Sequence, residues 1–186
     1  MVQLTRIYTR GGDKGKTSLG SSTRVLKNDP RIHAIGDVDE LNSSLGVCRL
    51  SWPEEHADFF HRIQNDLFDL GADLCMEDLT QKDVLRIRKE QVTWLEQRID
   101  EFNADLAPLK SFVLPGGTAL SSSLHMARSI ARRAERSVVT LQLSVDINNQ
   151  VSIYLNRLSD LLFVLARYFN NKGGQDVLWK PGASQD

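Results

Sequence analysis

Apolar residues recur at alternating steps of three and four along most of this chain, the spacing that lays one stripe down the side of an α-helix. Phe60, Ile63, Leu67, Leu70 and Leu74 form one such stripe, and Val92, Leu95, Ile99, Phe102 and Leu106 a second. A third stripe, Leu120, Leu124, Ala127, Ala131, Ala134, Val138 and Leu141, carries small alanines in its middle, which lets a neighbouring helix approach closely. A fourth reads Val151, Leu155, Leu158, Leu162, Leu165 and Phe169. A weaker fifth, Ile35, Val38, Leu41, Leu45 and Cys48, follows Asp29-Pro30, a pair suited to starting a helix. Period-two alternation is scarce, and its best stretch, Ser111 to Leu114, is too short to build a sheet. The pattern predicts an all-α fold, a five-helix up-and-down bundle with short connections.

Glycines punctuate the chain unevenly. Gly11, Gly12, Gly15 and Gly20 crowd the start, and Pro115-Gly116-Gly117 breaks the middle. Without periodicity, the start reads as an irregular loop lying on the bundle or on a partner subunit. One domain is expected over 1–186, comprising an N-terminal loop (1–30), the helical bundle (31–172) and a C-terminal tail (173–186).

Composition narrows the function classes. With 41% hydrophobic and 25% charged residues the chain is of the ordinary globular type, neither disordered nor fibrous. A formal net charge of -1 argues against nucleic acid or anionic membrane as a partner held by overall charge. Cys48 and Cys75 form no Cys-x-x-Cys pair and lie near no His at metal-ligand spacing, so a reduced chain is expected. The longest clean apolar run, Leu161 to Ala166, lies between Asp160 and Arg167, far short of the ~20 residues that span a bilayer. The start, Met-Val-Gln-Leu-Thr-Arg, lacks the apolar centre of a secretory signal. A cytoplasmic location, with no membrane partner, follows as the expectation.

The near-zero charge is an average over local extremes. Tyr8 to Ser18 packs glycines, hydroxyls, Arg10, Lys14 and Lys16 into one stretch, a mixture that suits phosphate: glycines let backbone N–H groups approach anionic oxygens, and cations compensate their charge. Gly15-Lys16-Thr17 matches the end of a P-loop, but the first glycine of that motif would fall on Arg10, and the strand-to-helix context is missing. A flexible glycine-rich terminus without ligand is the alternative reading of the segment. Farther on, Arg128, Arg132 and Arg136 recur at i, i+4 with Arg133 and Glu135 beside them. Like charges at that spacing repel unless an anion or carboxylates neutralise them. A solvated face, with Arg128 and Glu135 knitted to carboxylates of neighbouring helices, competes with a phosphate site.

In the last stripe Asn156 and Asp160 sit at i, i+4 beside the apolar positions. An interhelical hydrogen bond is expected for Asp160, and for Asn156 an amide oxygen reaching toward Mg2+ bound to polyphosphate. Phe112, ahead of the Pro-Gly-Gly turn, fits either a core position or a functional loop. Asp66, Asp69 and Asp73 form an acidic row read as a solvated face. His33, His56, His61 and His125 make no zinc motif, and only Asp58-x-x-His61 approaches the pattern of a di-iron bundle.

Taken together and in order, Thr9-Arg10-Gly11-Gly12-Asp13-Lys14-Gly15, Gly36-Asp37-Val38-Asp39-Glu40-Leu41, Phe112-Val113-Leu114-Pro115-Gly116-Gly117, Arg132-Arg133-Ala134-Glu135-Arg136 and Tyr154-Leu155-Asn156-Arg157-Leu158-Ser159-Asp160 resemble the PduO-type ATP:corrinoid adenosyltransferases. The resemblance spans nearly the whole chain. It implies a ferritin-like five-helix bundle assembled as a homotrimer, with ATP between subunits under the N-terminal loop and the corrinoid close by. The implied reaction moves the 5′-deoxyadenosyl group of ATP to cob(I)alamin, giving adenosylcobalamin and triphosphate, with Mg2+ on the phosphates. The implied partners are a cobalamin reductase and an acceptor enzyme that uses the product.

By the same resemblance, Thr9, Arg10, Gly11, Gly12, Lys14, Thr17, Ser18 and Lys27 match the loop contacts of ATP. Arg132, Arg133, Glu135, Arg136 and Asn156 match the helical contacts, with Asn156 near the metal and Arg132, Asn156 and Phe112 in catalytic places. Arg128 and either Asp37 or Asp39 match an inter-subunit salt bridge, and Phe112 matches the aromatic residue under the corrin ring. Gly11 departs from the family, which usually carries Thr or Asn there. A non-catalytic nucleotide- or polyphosphate-binding bundle and a purely structural bundle remain the competing classes.

Overall fold

In the computed structural model, described for residues 7–184, five helices carry the chain: α1 Pro30–Cys48, α2 Ala57–Cys75, α3 Lys89–Asn103, α4 Ala119–Gln142 and α5 Asn149–Tyr168. Residues 1–6 and 185–186, the outer ends of the expected N-terminal loop and C-terminal tail, lie outside the described residues. All five stripes became helices. Asp29 caps α1 by accepting from the Arg31 N–H, and Pro30 takes the first helical position, where its missing N–H costs nothing. Thr118 and Asn148 cap α4 and α5 in the same way. Leu106 and Phe169, the last positions of their stripes, fall past their helices, yet both still pack on the core.

The pairings fix the topology. Arg31 donates to the Leu74 carbonyl while Asn42 donates to that of Gln64, so α1 and α2 run antiparallel. Asp66 with Gln91 and Arg62 with Trp94 set α2 and α3 antiparallel. Asp37 with Ser137, and Glu135 with Asn156, do the same for α1 with α4 and α4 with α5. The order is therefore up, down, up, down, up, with α3 lying parallel to α5 between α2 and α5. Because α3 and α4 are not neighbours, residues 104–118 cross the end of the bundle near the α5 C-terminus.

Helix α4 is the central element, packed on both α1 and α5. Ala127, Ala131 and Ala134 are fully buried, and their missing side-chain bulk is what admits two neighbours at once.

Three expectations need correction. The N-terminal stretch contains an antiparallel hairpin, β1 Lys16–Ser18 with β2 Arg24–Leu26, and Thr17 faces Val25. Each strand is three residues long, too short for alternation to register. Val113 forms a bridge with Leu178 of the C-terminal tail, so the loop before the Pro-Gly-Gly turn is paired rather than free. The acidic row is no solvated face: Asp66 and Asp73 are buried. Asp73 Oδ1 accepts from Arg86 at 2.6 Å, and its Oδ2 accepts from the Ile87 N–H and from Asn148. Asp66 accepts from Gln91 and from the hydroxyl of the fully buried Tyr154. These bonds fasten the irregular segment between α2 and α3 to the bundle. Their partners are up to 88 residues away in sequence, which is why a local charge pattern misread them.

Candidate functional site

The two basic segments that match phosphate chemistry in the sequence lie apart in the fold. The first is the N-terminal loop. Gly15 adopts φ +73° and its carbonyl accepts from the Lys27 N–H at 2.8 Å, closing the loop at the base of the hairpin. A Cβ on Gly12 would lie 3.0 Å from Lys27 Nζ, so a side chain there would displace that ammonium group. Thr9, Arg10, Gly11, Lys14, Ser18 and Lys27 are exposed, while Gly12 and Thr17 are half-buried. Arg24, which sequence reading passed over, organises the unit: its guanidinium donates to the Gly11 carbonyl at 2.5 Å and to Ser18 Oγ at 3.2 Å. No sequence signal marked it, because its place opposite Ser18 exists only in the hairpin register. The unit is pinned to the end of α2 through the Gly20 N–H on the Cys75 carbonyl and through Ser21 on Glu77.

The second is the middle of α4. Arg132 and Arg136 are exposed, and among the described residues neither has a carboxylate within ion-pair distance. Arg128 is partly buried with its Nε unpartnered, and its guanidinium lies 6.0 Å from the Phe163 ring centre. Burial, then repulsion from Arg132, lowers the Arg128 pKa from its ordinary value. A helix that places three arginines at successive turns and leaves them unpaired presents concentrated charge for an anion.

Arg133 differs from its neighbours. It turns toward α1, where it pairs with Glu40 and with Asp37 at 3.5 Å, and Asp37 also accepts from Ser137. The hydrogen bond to Glu40 is the main reason its pKa is raised. Asp37 is thus engaged within the chain, Asp39 is exposed, and Arg128 has no carboxylate partner among the described residues. The expected knitting of Arg128 to neighbouring carboxylates is therefore corrected: Arg133 takes them.

On α5, Asn156 rather than Asp160 makes the interhelical bond. Its Nδ2 donates to Glu135 Oε1 at 2.9 Å, while its Oδ1 accepts from Arg157 at the same distance. Asp160 is exposed and has Arg157 at 3.7 Å on its own helix. Desolvation raises its pKa, with Arg157 and Arg132 opposing and Glu135 adding to the rise. Both residues point to the α4 side, so Arg132, Glu135, Asn156 and Asp160 form one polar face.

Phe112 is not core. It is 76% exposed on the crossing segment, with the Trp179 ring 6.0 Å away. The crossing segment leads into the start of α4, whereas Leu19 and Val25 of the hairpin unit line a cavity of about 780 Å³ with Leu141 to Asp146 at its other end. At 1.5 Å per residue, that end lies roughly 15 Å along the axis from Arg132. Within one copy of the chain, the loop, the arginine face and Phe112 occupy successive levels of the bundle.

Comparison with known proteins adds a second, independent line. Residues 7–169 match the family model described as cobalamin adenosyltransferase. The chain is 47% identical over 190 residues to a corrinoid adenosyltransferase of Mycobacterium leprae, covering 97% of this chain and 98% of that protein. It is 43% identical over 163 residues to the corrinoid adenosyltransferase PduO of Salmonella typhimurium, covering 87% of this chain and 48% of that one. A solved structure of a variant PduO-type ATP:corrinoid adenosyltransferase from Lactobacillus reuteri, complexed with cobalamin and ATP, superposes with a TM-score of 0.88 at 41% identity. That match covers 94% of this chain and 99% of the other.

Proposed function

Because the chain belongs to the cobalamin adenosyltransferase family, we propose that its N-terminal loop and α4–α5 face bind ATP for transfer to a corrinoid. It is an ATP:corrinoid adenosyltransferase. Cobalt(I) attacks the ribose C5′, a Co–C bond forms as the C5′–O bond breaks, and the oxygen leaves with the bonding pair as triphosphate. The cobalt supplies both electrons of the new bond, so no general base is needed. What the protein must provide is in-line placement and stabilisation of charge on the leaving group.

The observation that carries this reading is the unpaired state of Arg132 and Arg136 on an exposed helical face, beside the hydrogen-bonded pair Asn156 and Glu135. Arg132 and Arg136 take phosphate oxygens. Thr9, Arg10, Gly11, Gly12, Lys14, Thr17, Ser18 and Lys27 enclose the nucleotide, and Arg133, tied to α1, holds the face in register. Asn156 Oδ1 and the Glu135 carboxylate are hard oxygen donors, and among the described residues no cluster of three or more His, Cys, Asp or Glu is placed to hold a metal alone. That donor set fits a Mg2+ that takes most of its ligands from phosphate and water. When bound, Mg2+ would neutralise charge on the triphosphate. Phe112, exposed and apolar, sits beneath the corrin ring and keeps a lower ligand off the cobalt.

The same reading makes the chain one functional domain whose active sites form between copies of a homotrimer, Arg128 meeting Asp37 or Asp39 of a neighbour. The levels at which the loop, arginine face and Phe112 lie in one copy favour that arrangement. A reductase supplies cobalt(I), and an acceptor enzyme takes the product. Among the described residues no helix is long and apolar enough to cross a membrane. Free Cys48 and Cys75 suit a reducing cytoplasm.

The test mixes the protein with MgATP and chemically reduced cobalamin without oxygen and follows the absorbance change to adenosylcobalamin. Conversion with one triphosphate released per cobalt is expected. Recovery of intact ATP with no conversion above the protein-free control would assign the fold to a binding module instead.

A further inference from the structure

The end of the chain folds back onto the segment that carries Phe112, and its bonds go to that segment residue by residue. The Leu114 N–H donates to the Val177 carbonyl and the Trp179 N–H to the Phe112 carbonyl, both at 2.8 Å. Ser111 Oγ donates to the Trp179 carbonyl at 2.8 Å, and Val113 bridges Leu178. None of the apolar strap residues is taken fully from water by this pairing: Val177, Leu178 and Trp179 stay 57%, 40% and 45% exposed.

A lock in the interior holds the strap at its root. Asp176 accepts from Arg167 Nε at 2.8 Å and from Asn170 Nδ2 at 3.0 Å, and the Arg167–Asp176 side chains are 8% and 4% exposed. Arg167 also donates to the Ala107 carbonyl, and Asn170 Oδ1 accepts from the Thr118 N–H, so both ends of the crossing segment close on the same node. Gly117 stands at φ +101°, where a Cβ would come within 2.2 Å of the Asn170 side chain. Glycine is required there for the node to form.

A tail that served stability alone would bury its apolar side chains in the core, and none of Val177, Leu178 and Trp179 is among the core residues. This one instead donates its Trp179 N–H to the carbonyl of Phe112, the residue whose ring is exposed. We propose that the strap 176–179 is the positioning element of Phe112, with Trp179 as the side chain that fixes the phenylalanine ring beneath the corrinoid. An exposed aromatic side chain on an unbraced loop samples several rotamers, and binding would have to select one. Bracing it beforehand lowers that cost and keeps the lower face of the cobalt closed. Among the described residues Trp179 is the aromatic ring that meets Phe112. The inference rests on the reading of Phe112 as the residue under the corrin ring.

The experiment uses the full chain with ATP and cob(II)alamin, comparing wild type with W179A, W179F, F112A and the double variant F112A/W179A. The readouts are the four-coordinate fraction of cobalt(II) by EPR and separate KM values for the corrinoid and ATP. Circular dichroism melting confirms folding. W179A should lower the ratio of four- to five-coordinate cobalt and raise the corrinoid KM by about two- to tenfold, the range an aromatic pair supports, with the KM for ATP unchanged. W179F should restore most of this. The double variant should be no worse than F112A, since Trp179 acts through Phe112. Wild-type behaviour of W179A beside an impaired F112A would overturn the strap's role and leave the Phe112 reading intact. Wild-type behaviour of F112A would remove the reading beneath both. A W179A whose ATP KM rises in step with that of the corrinoid would mark a general disturbance and overturn the inference as well.

Discussion

Asp73 illustrates what a single residue's surroundings decide that its neighbours in sequence do not. With Asp66 and Asp69 it spells an acidic helix face, and three carboxylates at that spacing normally stay in water. Its side chain is 2% exposed because the segment between α2 and α3 returns Arg86 and the Ile87 N–H to it, and Asn148 arrives from the cap of α5. Both carboxylate oxygens are used as acceptors of donors that are themselves partly buried. The isosteric change Asp73→Asn keeps the volume but turns an NH2 group toward one of those donors. It should therefore destabilise the fold by about 3 kcal/mol, the loss associated with breaking a buried charged pair. Urea unfolding followed by circular dichroism measures this; a midpoint equal to wild type would mean the network contributes nothing. Arg24 and Trp179 were invisible for the same reason as Asp73, since each gains its role from partners brought by the fold. Arg132 and Arg136 stood out in the sequence because their i, i+4 spacing is legible without any partner from elsewhere in the chain.

At the scale of elements, the stripes were sufficient for the helices because burial on one side is the physical cause of both stripe and helix. Capping agreed: Asp29 and Pro30 mark the start of α1 in the sequence and serve there in the structure. The hairpin and the 113–178 bridge escaped because backbone pairing over so few residues leaves no side-chain period. Helix α4 carries the heaviest constraint. Its buried face must be narrow enough for α1 and α5, while its opposite face carries the arginines. Replacing Ala131→Leu inserts a side chain where none fits, and Arg132 follows directly on the displaced turn. Overpacking of this kind costs about 1–3 kcal/mol and shifts backbone. Ala131→Leu should lower the melting temperature and raise the KM for ATP together, whereas Ala131→Gly should lower the melting temperature through helix propensity while leaving the KM for ATP near wild type. Thermal melts with matched kinetics separate the two. Equal KM effects would show that helix stability, not packing against α1 and α5, sets the arginine geometry.

For the whole molecule, the question is which copy completes which site. The formal charge of -1 conceals local concentrations of cations, among them the N-terminal loop and the middle of α4. In one copy the loop is tied to the end of α2, and the hairpin unit lies level with the end of α4, about 15 Å along the axis from Arg132. On the proposed reading, a site drawing on both is completed by the loop of one subunit and the helix of the next. Two variants test this in combination, one lacking the loop cation (Arg10→Ala) and one lacking the helix cation (Arg132→Ala). Each alone should be severely impaired, Arg132→Ala by about 100-fold or more in kcat, as for removal of one group stabilising developing charge. Co-expressed in equal amounts and assembled at random, the two chains bring an intact loop to an intact helix at about one interface in four, so roughly a quarter of wild-type activity should return. Sedimentation should give a mass of three copies of the 21.0 kDa chain for each preparation. If each copy built its own site, every site in the mixture would still carry one lesion, and mixing would restore nothing. Recovery of a quarter therefore requires that loop and helix come from different copies, a result that a monomeric enzyme cannot produce.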